Sequence, residues 1–254
     1  MLSSRYIAVL KRKAHVAMLL AKETAGTARN RGMLAAARFG MGAVRGILKE
    51  RLGPSRPPRT NVVDQQFGTD TAENAKLHSL DIRSPNYQYA IYYRATDFPI
   101  LVEVLDRLAL RYEDYTFVDY GSGKGLVLLR AAGYPFKKVI GVEFARELHE
   151  TARRNVEIYP AHLRRSEIEL VHMDAVEFTP PAGNLALYLY EPFEAPVTRQ
   201  VIARIREFRR GRDVVVAYVW SKNPMVTCKS LWDAEAFLMK VDEGDSWTIY
   251  RAKA

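Results

Sequence analysis

Three glycines at alternate positions, directly after an apolar segment, constrain the fold of this chain more than any other feature. Residues 117–126 read FVDYGSGKGL and are followed by the helix-like sequence VLLRAA. Glycine adopts positive φ without steric cost and lets a ligand approach the backbone closely. The first turn of the following helix directs its unpaired N–H groups into the same space. This pattern predicts a cofactor-binding turn between a strand and a helix of a parallel α/β sheet.

The spacing of the glycines distinguishes between kinds of cofactor. A dinucleotide-binding turn reads G-x-G-x-x-G, but Gly121, Gly123 and Gly125 alternate, and Leu126 stands where the third glycine would fall. A P-loop is also excluded, because Lys124 is followed by glycine rather than by Ser or Thr. The turn therefore favours a nucleoside cofactor without a pyrophosphate and disfavours a nicotinamide oxidoreductase.

Further apolar segments end in acids at the intervals that such a sheet requires. Glu143 ends the segment 139–143, about 20 residues after the glycines, where a carboxylate can bind both hydroxyls of a ribose. Asp174 ends the segment 168–174, and Glu191 follows the segment 185–190. The other predicted elements are helices over about 98–112, 145–159 and 196–210, a strand over 213–219, and an edge hairpin of 237–241 with 246–251.

Together these motifs resemble the class I S-adenosylmethionine-dependent methyltransferases over about residues 112–254. The resemblance implies a Rossmann-like α/β fold, with a seven-stranded, mostly parallel sheet, an antiparallel edge hairpin and helices on both faces. It also implies S-adenosyl-L-methionine as the cofactor. The implied cofactor-binding residues are Asp119, Gly121, Ser122, Gly123, Gly125, the ribose acid Glu143 and the adenine acid Asp174.

The fourth motif of that family corresponds to Glu191-Pro192-Phe193 in this chain. In nucleic-acid enzymes that methylate an amino group, this motif reads Asn or Asp, Pro, Pro, then Tyr or Phe. Here the acid is a glutamate, which is one methylene longer than aspartate, and only one proline follows it. This difference disfavours methylation of a nucleic-acid base. Methyl transfer requires an in-line arrangement of donor and nucleophile rather than a Ser-His-Asp triad. We expect Glu191 to orient or deprotonate a lysine-like amine, Phe193 to wall the methyl path, and Pro192 to contact the substrate.

A tyrosine-rich segment precedes the first core helix. Tyr93-Arg94-Ala95-Thr96 resembles the Tyr-x-Pro-Thr lead-in of some protein-lysine methyltransferases, with Ala95 in place of the proline. The resemblance implies that Tyr92, Tyr93 and Thr96 line an acceptor pocket, and an aromatic packing stripe is the alternative. Lys124 is expected to be solvated in the first turn of its helix, with a contact to the cofactor carboxylate as the alternative.

Positive charge is concentrated at the N-terminus. Residues 1–60 contain 13 Lys or Arg and two acids, a net charge of +11, whereas the remaining residues carry a net charge of −2. Two basic amphipathic helices are predicted at about 5–22 and 33–51, before a linker that reads GPSRPP. We therefore divide the chain into a basic helical arm (1–60), a lead-in or lid segment (61–111) and a methyltransferase core (112–254).

Such an arm can contact an anionic membrane, RNA, a partner or its own domain, and its composition also matches an organellar transit peptide. The single cysteine, Cys228, excludes an internal disulfide and indicates a reducing compartment. The five histidines are scattered, so no metal site is expected. No apolar run is long enough to span a bilayer. The expected location is the cytoplasm, peripheral to a membrane if the arm binds one.

The sequence thus predicts an S-adenosylmethionine-dependent methyltransferase that N-methylates a protein amine. A small molecule or RNA is the alternative acceptor. A different class of function also stays open, namely a non-catalytic Rossmann-like module that binds membrane or RNA through the arm. The glycines and Glu143 favour an enzyme, because a module without the cofactor has little physical need of that combination.

Overall fold

The computed structural model describes residues 60–73, 82, 84–91, 93–220 and 227–253. The arm lies outside these residues apart from Thr60, so its helices and the three-part domain division stay predictions. The described strands are β1 Tyr115–Tyr120, β2 Lys138–Glu143, β3 Ile168–His172, β4 Asn184–Tyr190, β5 Val214–Val219, β6 Leu238–Glu243 and β7 Trp247–Ala252. The described α-helices are α1 Val62–Phe67, α2 Phe98–Arg107, α3 Leu126–Ala131, α4 Arg146–Ile158, α5 Ala195–Phe208 and α6 Lys229–Asp233. Short 3₁₀ helices cover Pro85–Tyr89, Tyr112–Asp114 and Ala161–Leu163.

The described strands form one seven-stranded sheet in the order β3-β2-β1-β4-β5-β7-β6. Strands β1 to β5 run parallel, and parallel neighbours require crossover connections, which here contain α3, α4 and α5. Strand β7 pairs antiparallel with both β5 and β6. The predicted mostly parallel sheet with an antiparallel edge hairpin is confirmed.

Apolar layers cover both faces of the sheet. Every residue of β1 and of β5 is buried, as expected for parallel strands with helices on either side. Because side chains alternate along a strand, Phe117 packs in the cluster that includes α2 and α3, whereas Val118 packs in the opposite cluster with α5 and α6. The helices predicted on both faces are therefore present. None of the described helices is both long and apolar enough to cross a membrane.

The ends of helix α2 and of strand β3 differ from the prediction. Helix α2 ends at Arg107 rather than near residue 112. Ala109 then has a φ of 49°, a left-handed conformation that no α-helix contains and that alanine adopts only at a cost. Strand β3 ends at His172, so Asp174 belongs to the following loop rather than to the strand.

The strand order places a crevice at the carboxyl ends of β1 and β4. From β1 the chain first adds β2 and β3 on one side, and then returns to add β4 and β5 on the other. Ligands of open α/β sheets bind outside the carboxyl ends of the strands at such a reversal point. The glycine turn follows β1 and the Glu191-Pro192-Phe193 motif follows β4, so both motifs lie at this crevice.

Candidate active site

A cavity of about 410 Å³ occupies the crevice. Its walls come from the ends of β1, β2 and β4, from the loop after β3, and from the segment that leads into α2. Ten of the residues predicted for the site line it, namely Tyr93, Thr96, Asp119, Gly121, Ser122, Glu143, Asp174, Glu191, Pro192 and Phe193. Gly123 and Gly125 shape the turn without lining the cavity, and Tyr92 lies outside the described residues. The structure thus brings together residues that are up to 100 positions apart in sequence.

All three glycines of the turn have positive φ, with values of 78°, 53° and 88° for Gly121, Gly123 and Gly125. This region of φ is strained for residues with a side chain. Space is also restricted, because a Cβ atom at Gly121 would lie 2.6 Å from Cβ of Pro192, and one at Gly123 would lie 2.1 Å from Cε2 of Tyr93. Gly121 and Gly123 are therefore needed for these two close contacts as well as for the positive φ of the turn.

Glu143 ends β2 and closes the back of the glycine turn. Its Oε2 accepts a 2.9 Å hydrogen bond from the N–H of Gly123, and its Oε1 accepts a 2.8 Å hydrogen bond from the N–H of Ala145. Burial raises the pKa of Glu143 to about 7, although both of these N–H groups act to lower it. Each carboxylate oxygen retains a second lone pair, which leaves Glu143 able to accept hydrogen bonds from a ligand in the cavity.

Asp119 ends β1 on the cavity wall and is only 3% exposed. Burial raises its pKa well above the usual range for an aspartate, and the charge of Glu143 acts in the same direction. Two buried carboxylates on neighbouring strands are costly unless a cation or several donors compensate them. The pair therefore suits a ligand that brings positive charge and hydroxyl donors.

Asp174, in the loop after β3, fastens the lead-in segment to the cavity. Its Oδ2 accepts hydrogen bonds from Ser84 Oγ and, at 2.9 Å, from Asn86 Nδ2. Its Oδ1 accepts a 2.9 Å hydrogen bond from the N–H of Val176. Asp174 thus lines the cavity, and it also has a structural role that the sequence does not indicate.

Glu191 stands at the junction between β4 and the motif that follows it. It is 4% exposed and has a φ of 37°, a left-handed conformation that is uncommon for residues other than glycine, asparagine and aspartate. Strained backbone of this kind clusters at functional sites. Next along the chain, Phe193 forms an antiparallel bridge with Ala90, and the carbonyl of Pro192 accepts from the N–H of Ile91 at 3.2 Å. The lead-in segment thus forms one rim of the cavity beside Glu191.

Tyr93 lies across the glycine turn. Its ring covers Gly123, and its hydroxyl donates a 2.6 Å hydrogen bond to the carbonyl of Thr71. Thr96 is buried, with its Oγ1 3.5 Å from the hydroxyl of Tyr188. Tyr93 and Thr96, two of the three residues of this segment predicted for the acceptor pocket, therefore line the cavity and also make packing contacts. The alternatives of a pocket and a packing stripe are thus compatible.

The expectation of a solvated Lys124 is wrong. Its side chain is 8% exposed, and its Nζ lies 2.7 Å from Oδ1 of Asp70. Asn155 of α4 accepts from the N–H of Asp70 at 2.8 Å and donates to the carbonyls of Asp70 and Lys124. In the sequence, Lys124 is 54 residues from Asp70 and 31 residues from Asn155. No local sequence pattern therefore predicts these contacts. Lys124 does not line the cavity.

Arg94 and Gly141 are further residues that sequence reasoning missed. Arg94 lines the cavity, and its guanidinium lies 5.0 Å from the ring centroid of Tyr190. At Gly141 of β2, a Cβ atom would lie 2.8 Å from the hydroxyl of Ser122. That glycine gives the turn room to lie against the sheet. A glycine inside a predicted strand is the signal that marks such a close approach.

The cavity suits a nucleoside that carries a cationic side chain. Its wall contains four carboxylates, those of Asp119, Glu143, Asp174 and Glu191. The turn beneath it tolerates no Cβ atom at two of its glycines. Apolar side chains line the same cavity, including Phe144, which follows Glu143 in the sequence, and Met173, which precedes Asp174. Among the residues that the structure describes, no group of three or more His, Cys, Asp or Glu side chains is arranged to hold a metal ion.

Residues 82–178 match the family model described as "DOT1: Histone methylation protein DOT1". The match covers less than half of the chain, and it includes residues 82–111 of the lead-in segment, the glycine turn, Glu143 and Asp174. A methyltransferase family model over this segment, together with the observed strand order, confirms the predicted class I methyltransferase fold. It also supports the predicted S-adenosylmethionine-dependent activity, and it implies use of that cofactor. No curated protein matches the chain by sequence.

The solved structures that are similar to this chain include methyltransferases of several kinds. The 23S rRNA methyltransferase ErmE is 17% identical, has a TM-score of 0.43, and aligns over 63% of this chain and 69% of its own. An RNA methyltransferase from Salinibacter ruber in complex with S-adenosyl-L-homocysteine is 21% identical, has a TM-score of 0.40, and aligns over 62% and 91%. A ribosomal protein L11 methylase from Lactobacillus delbrueckii subsp. bulgaricus is 13% identical, has a TM-score of 0.39, and aligns over 61% and 76%. Similarities this low do not bear on the acceptor.

Proposed function

We propose that this chain, an S-adenosylmethionine-dependent methyltransferase, transfers the methyl group to an amine of a protein, with a lysine side chain as the favoured acceptor. The observation that carries the choice of a protein is the match of residues 82–178 to a family described by histone methylation. The departure of Glu191-Pro192-Phe193 from the pattern of base-methylating enzymes acts in the same direction.

The residues that line the cavity would hold the cofactor through complementary charge and hydrogen bonding. Asp119 would bind its α-ammonium group, and Glu143 would accept from the ribose hydroxyls through the lone pairs that Gly123 and Ala145 leave available. Asp174 would accept from the adenine amino group in the same way. When bound, S-adenosylmethionine supplies a methyl group on a positively charged sulfur, which an amine lone pair can attack.

Glu191 is the residue proposed to prepare the acceptor. A protonated amine has no lone pair, so it must lose its proton before a nitrogen–carbon bond forms and the carbon–sulfur bond breaks. The carboxylate of Glu191 at the end of β4 would attract the ammonium form into the cavity, accept its proton, and orient the neutral amine by accepting one of its remaining N–H groups. Holding the nucleophile in line is the main contribution that this class of reaction needs from the protein.

Phe193 and the lead-in segment would guide the acceptor to this position. Phe193 is fixed by its bridge to Ala90, and the N–H of Glu194 donates to the carbonyl of Tyr89 at 2.8 Å. This short two-stranded contact forms a rim beside the carboxylate. An aromatic wall excludes water from the methyl path and admits a narrow alkyl chain such as that of lysine.

The experiment that tests this function follows tritiated methyl groups from S-adenosylmethionine into a lysate. The proposal expects label that protease removes, that RNase leaves intact, and that appears as methylated lysine after acid hydrolysis. Glu191→Gln should reduce the transfer about 100-fold or more while cofactor binding persists. Label in RNase-sensitive material, or in small molecules alone, would overturn the protein acceptor and leave the methyltransferase activity in place.

For cellular location, we propose a cytoplasmic enzyme that the basic arm brings to an anionic surface. The basis is the net charge of +11 on residues 1–60, against −2 on the rest of the chain. Basic groups near an anionic bilayer contribute about 1 kcal/mol each. A protein acceptor at such a surface would then meet the active site at a raised local concentration.

A further inference from the structure

Charge along the cavity wall is strongly one-sided. Four carboxylates line it, whereas Arg94 is the one Lys or Arg side chain on its wall within the described part of the chain. S-adenosylmethionine carries a sulfonium, an α-ammonium and an α-carboxylate. The two cationic groups find acids in abundance, but a carboxylate placed among four others needs a cationic partner.

Arg94 is held where a planar anion could be bound. Its guanidinium lies 5.0 Å from the ring centroid of Tyr190, and the residue is half-buried. Stacking on an aromatic ring orients a guanidinium and leaves its N–H edge available for bidentate pairing with a carboxylate. On either side, Tyr93 is fixed by its hydrogen bond to Thr71 and Thr96 is buried. The side chain therefore has little freedom left to lose on binding.

The sheet register places this guanidinium on the same face as Asp119. Asp119 of β1 pairs with Tyr188 of β4, and Tyr190 follows two positions later, so its side chain projects from the same face as that of Tyr188. Arg94 covers Tyr190. An acid and a guanidinium thus flank one side of the cavity. An α-amino acid carries an ammonium and a carboxylate on a single carbon, which is the complementary arrangement.

We propose that Arg94 binds the α-carboxylate of the methionyl part of the cofactor, while Asp119 on the same face binds the α-ammonium. Lys124, the other cation near the turn, is already paired with Asp70 and does not line the cavity. This inference concerns cofactor binding alone, so it is independent of the proposed protein acceptor.

The test compares two ligands that differ only in the carboxylate. Affinities of S-adenosylmethionine and of decarboxylated S-adenosylmethionine are measured by calorimetry on the full chain. Arg94→Ala should weaken binding of S-adenosylmethionine about 10- to 100-fold, the range expected for a lost charge-assisted pair. It should change the affinity for the decarboxylated ligand by less than about threefold. The affinity of Arg94→Lys for S-adenosylmethionine should lie between those of wild type and Arg94→Ala, because lysine keeps the positive charge but cannot form the bidentate pair of a guanidinium.

Arg130→Ala is the matched control. Its guanidinium also lies over a tyrosine ring, 5.5 Å from the centroid of Tyr134, but Arg130 does not line the cavity. We expect it to leave both affinities unchanged. Equal weakening of both ligands by Arg94→Ala would mean that Arg94 only packs the site and would overturn the proposal. Unchanged cofactor affinity with a raised KM for the acceptor would also overturn it, and would assign Arg94 to the acceptor instead.

Discussion

The ammonium of Lys124 lies 2.7 Å from the carboxylate of Asp70, and this ion pair joins the lead-in segment to the glycine turn. The lysine is 8% exposed and the aspartate 53% exposed, so the pair has one buried and one solvated partner. Thr69 and Thr71 on either side of Asp70 are held by the carboxylate of Asp64. The pair therefore ties a firmly built loop to the turn beneath the cavity.

Asp70→Asn should destabilise the protein by about 1–3 kcal/mol, because it leaves the buried ammonium without its anion. The lower part of that range reflects the exposure of Asp70. We expect the thermal midpoint to fall by about 2–10 °C, as measured by differential scanning calorimetry. Glu169→Gln is the control, since it breaks an ion pair of similar length, 2.9 Å to Lys138, at the surface. Equal midpoints for the two variants would contradict a structural role for the Lys124–Asp70 pair.

Gly123→Ala should damage the turn by steric overlap and not by φ alone. Its Cβ atom would lie 2.1 Å from the ring of Tyr93, so we expect a loss of about 2–4 kcal/mol and of about tenfold or more in cofactor affinity. Gly211→Ala is the control, because Gly211 has a φ of 72° but nothing within 4 Å of a Cβ atom. Tyr93→Ala in the Gly123→Ala background should recover part of the stability, which denaturant unfolding measures. If both glycine variants lose the same stability, Tyr93 is not the cause.

Cofactor affinity should fall as the pH drops below about 7. Burial raises the pKa of Glu143 to about 7, and its protonated form is a poorer acceptor for ribose hydroxyls. We expect the affinity to decrease about threefold to tenfold between pH 7.5 and pH 6. Calorimetric titrations across that range measure it, with Glu143→Gln as the control that should reduce the pH dependence, leaving the part that Asp119 contributes. A wild-type affinity that is constant with pH would show that Glu143 does not bind the cofactor through its charge.

The same shift has the opposite sign for the unliganded protein. Glu143 binds its proton more tightly in the folded state, since its pKa rises from the model-peptide value of 4.5 to about 7. Folding stability from this group is therefore present below pH 4.5 and is lost as the pH rises towards 7. At neutral pH the buried carboxylate of Glu143 therefore lowers the stability of the unliganded protein, and bound cofactor should offset that loss.

Glu191→Gln should separate binding from turnover. The substitution keeps the size of the side chain but removes its charge, so we expect kcat to fall about 100-fold or more while cofactor affinity changes little. Steady-state kinetics with the labelled acceptor and calorimetry with S-adenosylmethionine provide the two measurements. A variant with unchanged kcat would assign Glu191 to the turn geometry alone.

The sequence predicts the sheet and the acids well because both depend on short-range patterns. Phe117 and Val118 belong to a continuous apolar strand, and Glu143 ends another at a fixed interval from the glycines. The contacts of Lys124 were not predictable in this way. They depend on Asp70 and Asn155, whose places beside the turn are decided by how α1 and α4 pack rather than by any local pattern.

Arg94 illustrates the same limit for the site. Within its own segment it is a charged residue between an aromatic residue and an alanine. The pairing of β1 with β4 places Tyr190 on the face of Asp119, and Arg94 lies over that tyrosine. Its importance comes from the charge of residues that lie elsewhere in the sequence. The excess of acidic over basic side chains on the cavity wall can be counted only when the fold shows which residues line the cavity.

The basic arm should bind anionic bilayers in a salt-dependent way. Reversing Lys11, Arg12 and Lys13 to glutamate in the full chain removes three of the 13 basic residues of the arm and adds three acids. At about 1 kcal/mol per basic group, this should lower partitioning onto phosphatidylserine-containing vesicles at least about 100-fold. Flotation at low and physiological salt measures it, with pure phosphatidylcholine vesicles as the neutral comparison.

The control for that experiment reverses Lys137, Arg165 and Arg210, which are three exposed cations of the described core. It changes the net charge of the chain by the same amount, so any difference between the two triple variants reports the location of the charge and not its total. Binding that survives reversal in the arm, or that the core variant loses equally, would contradict a membrane role for residues 1–60. Binding to RNA but not to vesicles would assign the arm to a nucleic-acid surface. The direct comparison of RNA with vesicles is needed because both are polyanionic, so binding to either one weakens as salt is added.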